Sequence, residues 1–283
     1  RSCKLNKGNK IDSPKIDDLE IKDASLIFAH VWADLESEFG RNNLVFPGEI
    51  IWLGGAPGAG KGTNTPFVME ARGITANPIV ISDLLSSPRA QKIKAAGNLV
   101  GDEEVIELLL RKLLESQYQR GVIVDGFPRT TVQTECLKHF FDKMIGLREE
   151  MRQQGLELPR PLFRTVLLFV DEEVSVKRQL ERGEKAIEQN KKTAEAGVGK
   201  EEDIRPTDLD PELARNRYRL FKETTYDALS SLRKIFHFHF IDAEKSIGEV
   251  QEMIEEEFSY QSSLELSGET HDRIRTIGTA GQL

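Results

Sequence analysis

A glycine-rich segment that ends in a lysine and a threonine is the clearest chemical feature of this sequence. Its glycines would let the backbone curl so that successive N–H groups point at one anion. The helical pattern that follows would add the positive end of its dipole. We therefore predict a loop that holds nucleotide phosphates, with Lys61 bridging the β- and γ-phosphates and Thr63 reaching a magnesium ion. The residues of the loop are Gly55, Ala56, Pro57, Gly58, Ala59, Gly60, Lys61, Gly62 and Thr63.

Arginines spaced along the rest of the chain could neutralise the charge of a transferring phosphoryl group. Such a transfer depends on alignment and charge neutralisation more than on covalent chemistry, so guanidinium donors and Mg²⁺ lower its barrier. Arg178 and Arg182 are four residues apart and would share one face of a helix. Taken singly, each arginine is also explained as part of a solvated helix face.

Short apolar stretches alternate with helical patterns through most of the chain, and these elements would position the candidate side chains. The alternation predicts an α/β fold, a three-layer sandwich with a five-stranded parallel sheet and helices on both faces. Ligands of such folds bind at the carboxyl ends of the strands. Helices are predicted from residue 61 toward residue 72 and over 102–119. The predicted strands are 49–55, 78–82, 121–125, 164–171 and 237–242.

Several segments lie outside this alternation. Residues 1–48 combine a polar arm with an amphipathic helix over 23–39, which either covers the core or binds a partner. Residues 146–161 have the composition of a polar insertion before the fourth strand. Residues 183–203 are mostly charged residues, Ala and Gly, which is typical of a solvated loop or of a segment that orders over bound phosphates. The predicted organisation is an N-terminal region over 1–48, a core over 49–259 and a polar tail over 260–283.

A second motif follows the third predicted strand and reads Asp125-Gly126-Phe127-Pro128-Arg129-Thr130. With the glycine loop, it closely resembles adenylate kinases and their nucleoside monophosphate kinase relatives, and the resemblance covers about residues 50–258. Gly62, which separates the lysine from the threonine, matches a signature of that subfamily. The resemblance implies a P-loop NTPase core with a mobile lid near 183–208 and a short NMP-binding arm near 82–101. It also implies in-line, Mg²⁺-dependent phosphoryl transfer, with ATP + AMP = 2 ADP as the leading reaction.

The same resemblance implies roles for individual residues. Arg178 and Arg182 would bind ATP together with the glycine loop. The residues that would be catalytic are Lys61, Arg129, Arg178, Arg182, Arg205 and Arg217. Thr63 and Asp125 would hold Mg²⁺, mostly through water. The residues that would bind AMP are Asp83, Arg89, Val100, Gly126, Arg129 and Gln133.

The acceptor side departs from the family pattern. The family places Ser-Thr-Gly-Asp-Leu-Leu-Arg after its second strand, whereas this chain has Ser-Asp-Leu-Leu-Ser over residues 82–86. Ser86 therefore stands where the phosphate-binding arginine is expected, and Arg89 is the candidate substitute. Gln133 favours AMP as the acceptor over UMP or CMP. Two alternatives stay open: a kinase for another monophosphate such as UMP or CMP, and an ATP-binding structural or regulatory subunit of a larger assembly with weak or no activity.

The composition argues against several other functional classes. With 39 basic and 47 acidic residues the formal net charge is −8, which does not suit a partner that is nucleic acid or an anionic membrane. No apolar run approaches the ~20 residues that a membrane span needs. The two cysteines, Cys3 and Cys136, form no Cys-x-x-Cys pair, so we predict neither a disulfide scaffold nor a structural zinc site.

The predicted ligands are ATP, AMP and Mg²⁺, and the N-terminal helix or the C-terminal tail could bind a protein partner. The cysteine usage fits a reducing compartment. The sequence begins at Arg1 rather than Met, which removal of an organellar transit peptide would explain, as would a shortened chain. We therefore expect an intracellular protein, with the chloroplast and the mitochondrion among the candidate compartments.

Overall fold

The computed structural model describes residues 16–86, 88, 91, 101–197, 199, 202 and 204–259. Two of the predicted acceptor residues, Arg89 and Val100, lie outside these described residues. The same is true of residues 1–15 of the predicted polar arm and of the tail over 260–283. The rest of the predicted arm, residues 16–22, is helical rather than extended.

A parallel sheet forms the centre of the described structure, with its five strands in the order β2-β3-β1-β4-β5. The strands are β1 Glu49–Gly55, β2 Ile79–Val80, β3 Val122–Asp125, β4 Leu162–Phe169 and β5 His237–Asp242. Residues 50–53 of the central strand are fully shielded from water, as expected of a parallel strand with helices on both faces of its sheet. The register sets Leu53 beside Asp125 on one side and Gly55 beside Leu168 on the other. The predicted α/β fold with a parallel sheet is confirmed.

Helices connect the strands and cover the sheet. The α-helices are α1 Ile16–Phe39, α2 Lys61–Arg72, α3 Ile81–Leu84, α4 Asp102–Leu113, α5 Thr131–Gln153, α6 Glu172–Ala196, α7 Pro211–Leu220, α8 Asp227–Ser231 and α9 Ile247–Ser259. Short 3-10 turns span Arg41–Asn43, Ser116–Tyr118, Pro206–Asp208 and Leu232–Lys234, and a π-helix spans Phe221–Tyr226. Within the described ranges, no helix is both long and apolar enough to cross a membrane.

Two elements on the acceptor side are shorter than predicted. β2 has two residues, because it begins after Pro78 and α3 takes residues 81 and 82 of the predicted strand 78–82. β2 lies at the edge of the sheet and pairs with β3. α4 ends at Leu113 rather than at residue 119, and Ser116–Tyr118 forms a separate 3-10 turn.

The polar insertion predicted over 146–161 is wrong for residues 146–153, because α5 continues through them. Phe140, Met144, Leu147 and Met151 are all buried and recur at helical spacing. One apolar face therefore runs across Gly146, and the glycine does not end the helix.

The segment predicted as the lid begins inside a helix. α6 continues through Gly183 to Ala196, so the solvated-loop interpretation is wrong for residues 183–196. The side-chain amide of Asn190, within this helix, pairs with the backbone N–H and the carbonyl of Glu202 beyond it, at 2.7 and 2.9 Å. The described residues of the lid therefore form a helical arm, with Glu202 bound to its side.

The N-terminal helix α1 is part of the hydrophobic core. It packs against α4 and α5, and Phe28, Val31, Trp32 and Leu35 are buried. The Trp32 ring stacks on Phe28 and Phe46, with centroid separations of 5.7 and 5.9 Å. The amphipathic pattern of this helix thus serves to cover the core, the first of the two interpretations that its sequence allows.

Candidate active site

The glycine loop joins β1 to α2 and is held in shape by contacts with α6. Gly58 and Gly60 each have a φ of +74°, a conformation that favours glycine. A Cβ atom on Gly58 would lie 2.8 Å from the Ser175 carbonyl oxygen, so α6 approaches too closely for any side chain. Ser175 also donates its hydroxyl to the Pro57 carbonyl at 2.7 Å. The loop therefore presents its N–H groups, and the N-terminus of α2, in an arrangement fixed by the fold.

Lys61 opens α2 and lies in a region of concentrated positive charge. Its Nζ donates to the Gly55 carbonyl at 3.2 Å. Burial lowers the pKa of Lys61 to about 8, and Asp125 at the end of β3 acts in the opposite direction. The further cations whose charges lower this pKa are Arg129, Arg217 and Arg205. Cations collected in this way create a positive potential that attracts a polyanion.

Arg129 is held by hydrogen bonds to its own turn. Its Nε donates to the Gly126 carbonyl at 2.7 Å, and its backbone N–H donates to the Gln133 side-chain oxygen at 2.8 Å. Burial lowers the pKa of the Arg129 guanidinium, and the charge of Arg205 adds to this effect. Arg129 is thus a half-buried cation whose position is set by the Asp-Gly-Phe-Pro-Arg turn.

Gln133 is buried, with 2% of its surface exposed, and its amide is fixed at both ends. Its oxygen accepts from Arg129, and its Nε2 donates to Asp102 Oδ1 at 2.9 Å. The same carboxylate oxygen accepts the Thr130 hydroxyl at 2.8 Å. Asp102 therefore links the start of α4 to the start of α5, a role that the sequence analysis missed because it gave Asp102 only a place at a helix start.

Two of the predicted lid arginines meet at one carboxylate. Arg182 forms an ion pair with Asp208, which is 3% exposed, and the Arg217 guanidinium lies 3.9 Å from the same group. Arg217 also donates to Gln179 Oε1 and to Thr207 Oγ1, each at 3.3 Å. Burial lowers the pKa of Arg217 to about 9, and the neighbouring arginines add to the shift. Asp208 thus joins the arm α6 to α7.

Two other predicted residues, Arg178 and Asp83, make their side-chain contacts away from the cations around Lys61. Arg178 donates to the carbonyls of Ala243 and Glu244 at 2.7 and 3.3 Å, in the connection after β5, whereas Arg182 and Arg217 turn to Asp208. Asp83 is exposed on α3, where it accepts the Ser82 hydroxyl at 3.2 Å. The structure therefore gathers Lys61, Asp125, Arg129, Arg182, Arg205 and Arg217, and does not show Arg178 or Asp83 among them.

Comparisons with known proteins agree with this geometry. Residues 54–196, about half of the chain, match the family model described as AAA domain, which is a P-loop domain. The chain belongs to this P-loop family. It is also similar to an adenylate kinase of Flavobacterium psychrophilum, with 29% identity over 210 residues that cover 72% of this chain and 93% of the bacterial protein. The P-loop protein is thus a distant homologue of the adenylate kinases.

Homology to adenylate kinases implies MgATP as a ligand, and the residues at the glycine loop fit a magnesium ion. Mg²⁺ usually takes one or two protein oxygens and fills its other positions with phosphate and water. The exposed Thr63 hydroxyl on the first turn of α2 and the Asp125 carboxylate beside Lys61 supply oxygens of this kind. Among the residues that the structure describes, no three His, Cys, Asp or Glu side chains cluster as a metal site, so the fit rests on these two residues.

Proposed function

We propose that this P-loop protein is an adenylate kinase, which catalyses ATP + AMP = 2 ADP. The observation that carries the proposal is the convergence of Lys61, Arg129 and Arg217 at the glycine loop, where the charges of both arginines act on Lys61 and the charge of Arg129 acts on Arg217. Donor and acceptor phosphates repel each other, and several desolvated cations can hold them within reacting distance. An ATP-binding protein without an acceptor would not need Arg129 in this place.

The donor would lie on the glycine loop. Backbone N–H groups and the N-terminus of α2 would bind its phosphates, and Lys61 would bridge the β- and γ-phosphates. Thr63 and Asp125 would hold the magnesium ion, which, when bound, neutralises charge on the transferring phosphoryl group. The low pKa of Lys61 means that its ammonium is poorly solvated and gains strongly from a phosphate partner.

The acceptor would lie against Arg129. Because the second pKa of a phosphate monoester is about 6, its oxygen is already anionic at neutral pH and needs no general base. Alignment and charge neutralisation then account for most of the catalysis. Arg129, fixed through Gly126 and Gln133, provides a cation with a set direction for that alignment.

Gln133 supports AMP as the acceptor. The backbone N–H of Arg129 must face the amide oxygen and the Asp102 carboxylate must face the amide nitrogen, so the orientation of the amide is unambiguous. One N–H and one lone pair of the amide remain for a base. Adenine offers the complementary acceptor and donor at its N1 and its amino group. Cytosine offers a similar pair, so the preference for AMP over CMP rests on the family resemblance and not on this geometry.

The lid side would complete the site. Arg182 and Arg217 would approach the transferring phosphoryl group, with Asp208 setting their direction. Closure of the α6 arm would exclude water, which a kinase needs in order to transfer the phosphoryl group rather than hydrolyse ATP.

A second candidate function is that of an ATP-binding subunit with little or no transfer activity. The observation that favours it is Ser86, which is exposed and uncharged where the family resemblance leads us to expect an arginine. Loss of one such phosphate contact costs about 2.7–4 kcal/mol of transition-state binding by comparison with other oxyanion sites. That loss would slow an adenylate kinase by roughly a hundredfold to a thousandfold.

The test is a transfer assay with purified protein, MgATP and each of AMP, GMP, CMP and UMP. We expect ADP formation to be fastest with AMP and to fall at least about a hundredfold in Lys61→Ala, since that variant loses the phosphate bridge. Faster turnover with another monophosphate would identify that nucleotide as the acceptor and leave the proposed transfer mechanism unchanged. ATP binding without transfer to any acceptor would favour the subunit instead, and full activity of Lys61→Ala would rule out the proposed mechanism.

A further inference from the structure

An irregular turn of helix lies directly behind the candidate active site. α7 does not run straight into α8, because Phe221–Tyr226 forms a π-helix between them. π-turns are rare and are found mostly at functional sites. Such a turn changes the direction of the side chains that follow it.

The π-turn brings Thr225 to the same side as Arg217. In a regular α-helix each residue rotates by about 100°, so Thr225 would point about 80° away from Arg217 around the axis. A π-turn holds one extra residue, so the rotation between Arg217 and Thr225 is smaller by about 100°. The two side chains then point within about 20° of each other around the helix axis. One continuous helical segment therefore presents both residues toward the site.

Thr225 contacts the residue that binds the acceptor in the proposed reaction. Its side chain is buried, with 9% of the residue exposed, and its hydroxyl donates to the Arg129 carbonyl at 3.1 Å. The N–H of Arg129 is bound on the other side by Gln133, and its Nε by the Gly126 carbonyl. The peptide groups on both sides of the Arg129 Cα are therefore held, the second of them by a residue 96 positions away.

We propose that Thr225 is a positioning residue for Arg129, and that the π-turn exists to place it there. The inference rests on the proposed function in one respect, that Arg129 binds the acceptor phosphate. Thr225 acts through Arg129 and touches no substrate. Loss of its hydroxyl releases the Arg129 peptide, so the guanidinium samples directions that do not meet the acceptor phosphate.

The experiment is calorimetric binding of AMP and, separately, of MgATP to the full chain and to three variants. Thr225→Val keeps the shape and loses the hydroxyl, Thr225→Ser keeps the hydroxyl, and Thr224→Val makes the same chemical change one residue away. We expect Thr225→Val to weaken AMP binding by about tenfold, as is typical for one lost hydrogen bond to a positioned group, and to leave the Kd for MgATP within about twofold. Thr225→Ser and Thr224→Val should both bind AMP like the unchanged protein.

Three results would overturn the inference. They are unchanged AMP binding in Thr225→Val, equal weakening of AMP and MgATP, and equal losses in Thr225→Val and Thr225→Ser. A general folding defect would affect both nucleotides, so the selective loss of AMP separates positioning from stability. If AMP binds as expected but no phosphoryl transfer occurs in the unchanged protein, the proposed kinase activity fails while the role of Thr225 stands.

Discussion

At the scale of single residues, the main feature is a set of cations that the fold holds close together and partly out of water. Burial lowers the pKa values of Lys61, Arg129 and Arg217, and each of these groups also feels the charge of Arg205. Placing like charges together costs free energy in the absence of an anion. A bound polyanion therefore stabilises the arrangement. Phosphate binding and protonation of these side chains are thermodynamically linked for the same reason.

The pH dependence of ATP binding follows from the pKa of about 8 for Lys61. Below this value the free protein already carries the proton that phosphate binding needs. Above it, binding must take up a proton, so affinity falls by up to about tenfold per pH unit. We expect kcat/KM for ATP to decrease above about pH 8, with proton uptake on binding at pH 9 and little at pH 7. Calorimetry in two buffers of different ionisation enthalpy measures this uptake directly.

Equal proton uptake at the two pH values would contradict the assignment of this pKa to the phosphate site. Lys61→Arg is the matched control, because a guanidinium holds its proton more tightly than an ammonium at the same position. The variant should show a smaller rise in proton uptake from pH 7 to pH 9, even if it binds ATP more weakly.

At the scale of elements, the helical arm α6 meets the turn Pro206–Asp208 at a point that only glycine allows. Gly183 is buried there, and a Cβ atom would collide with the Asp208 carbonyl oxygen. The neighbouring residue Arg182 forms its ion pair with the Asp208 side chain. The close approach at Gly183 and the direction of the lid arginines are therefore set by the same contact.

Gly183→Ala should push the arm away from this turn and displace Arg182. We expect a loss of about 1–3 kcal/mol in the free energy of unfolding, measured with urea, and a lower kcat. Gly146→Ala in α5 is the control, since nothing lies within 4 Å of its added Cβ atom and alanine favours the helix by about 0.5–1 kcal/mol. Similar effects of the two substitutions would show that the contact at Gly183 is unimportant.

The elements also show where prediction from sequence succeeds and where it fails. The bounds of β1 and β5 were predicted correctly because each is a short apolar run with clear breaks. The continuation of α5 past Gly146 was missed, since polar residues and a glycine outweighed its apolar spacing. In the site, a glycine loop and spaced arginines are local signals. The roles of Asp102 and Thr225 depend on contacts 28 and 96 positions away in the chain, which no local pattern contains.

At the scale of the whole molecule, α1 and the P-loop core share one hydrophobic interior. Trp32 is 2% exposed, stacks on Phe28 and Phe46, and donates its ring N–H to Glu36 at 2.7 Å. Removal of residues 1–40 would therefore open the core, and a loss of activity in such a truncation would report lost stability rather than a lost partner. A partner surface on α1 is better tested at its exposed residues, of which Leu26 is 71% exposed.

Trp32→Ala should destabilise the protein by about 3–5 kcal/mol, because it leaves a large cavity between α1 and α5. Leu26→Ala on the exposed face of the same helix should change the free energy of unfolding by less than about 0.5 kcal/mol. Urea unfolding of the two variants measures both effects. If the loss at Trp32 were as small as that at Leu26, α1 would be an appendage rather than a component of the core.

Transfer of a phosphoryl group between nucleotides can be followed by ³¹P NMR of a single reaction mixture. Purified protein would be incubated with MgATP and AMP, and the spectra would follow ATP, AMP, ADP and inorganic phosphate together. We predict that two molecules of ADP appear for each AMP consumed, without release of inorganic phosphate, and that Lys61→Ala leaves both substrates unchanged. Formation of inorganic phosphate at the expense of ATP, or unchanged spectra with the unmodified protein, would contradict this prediction.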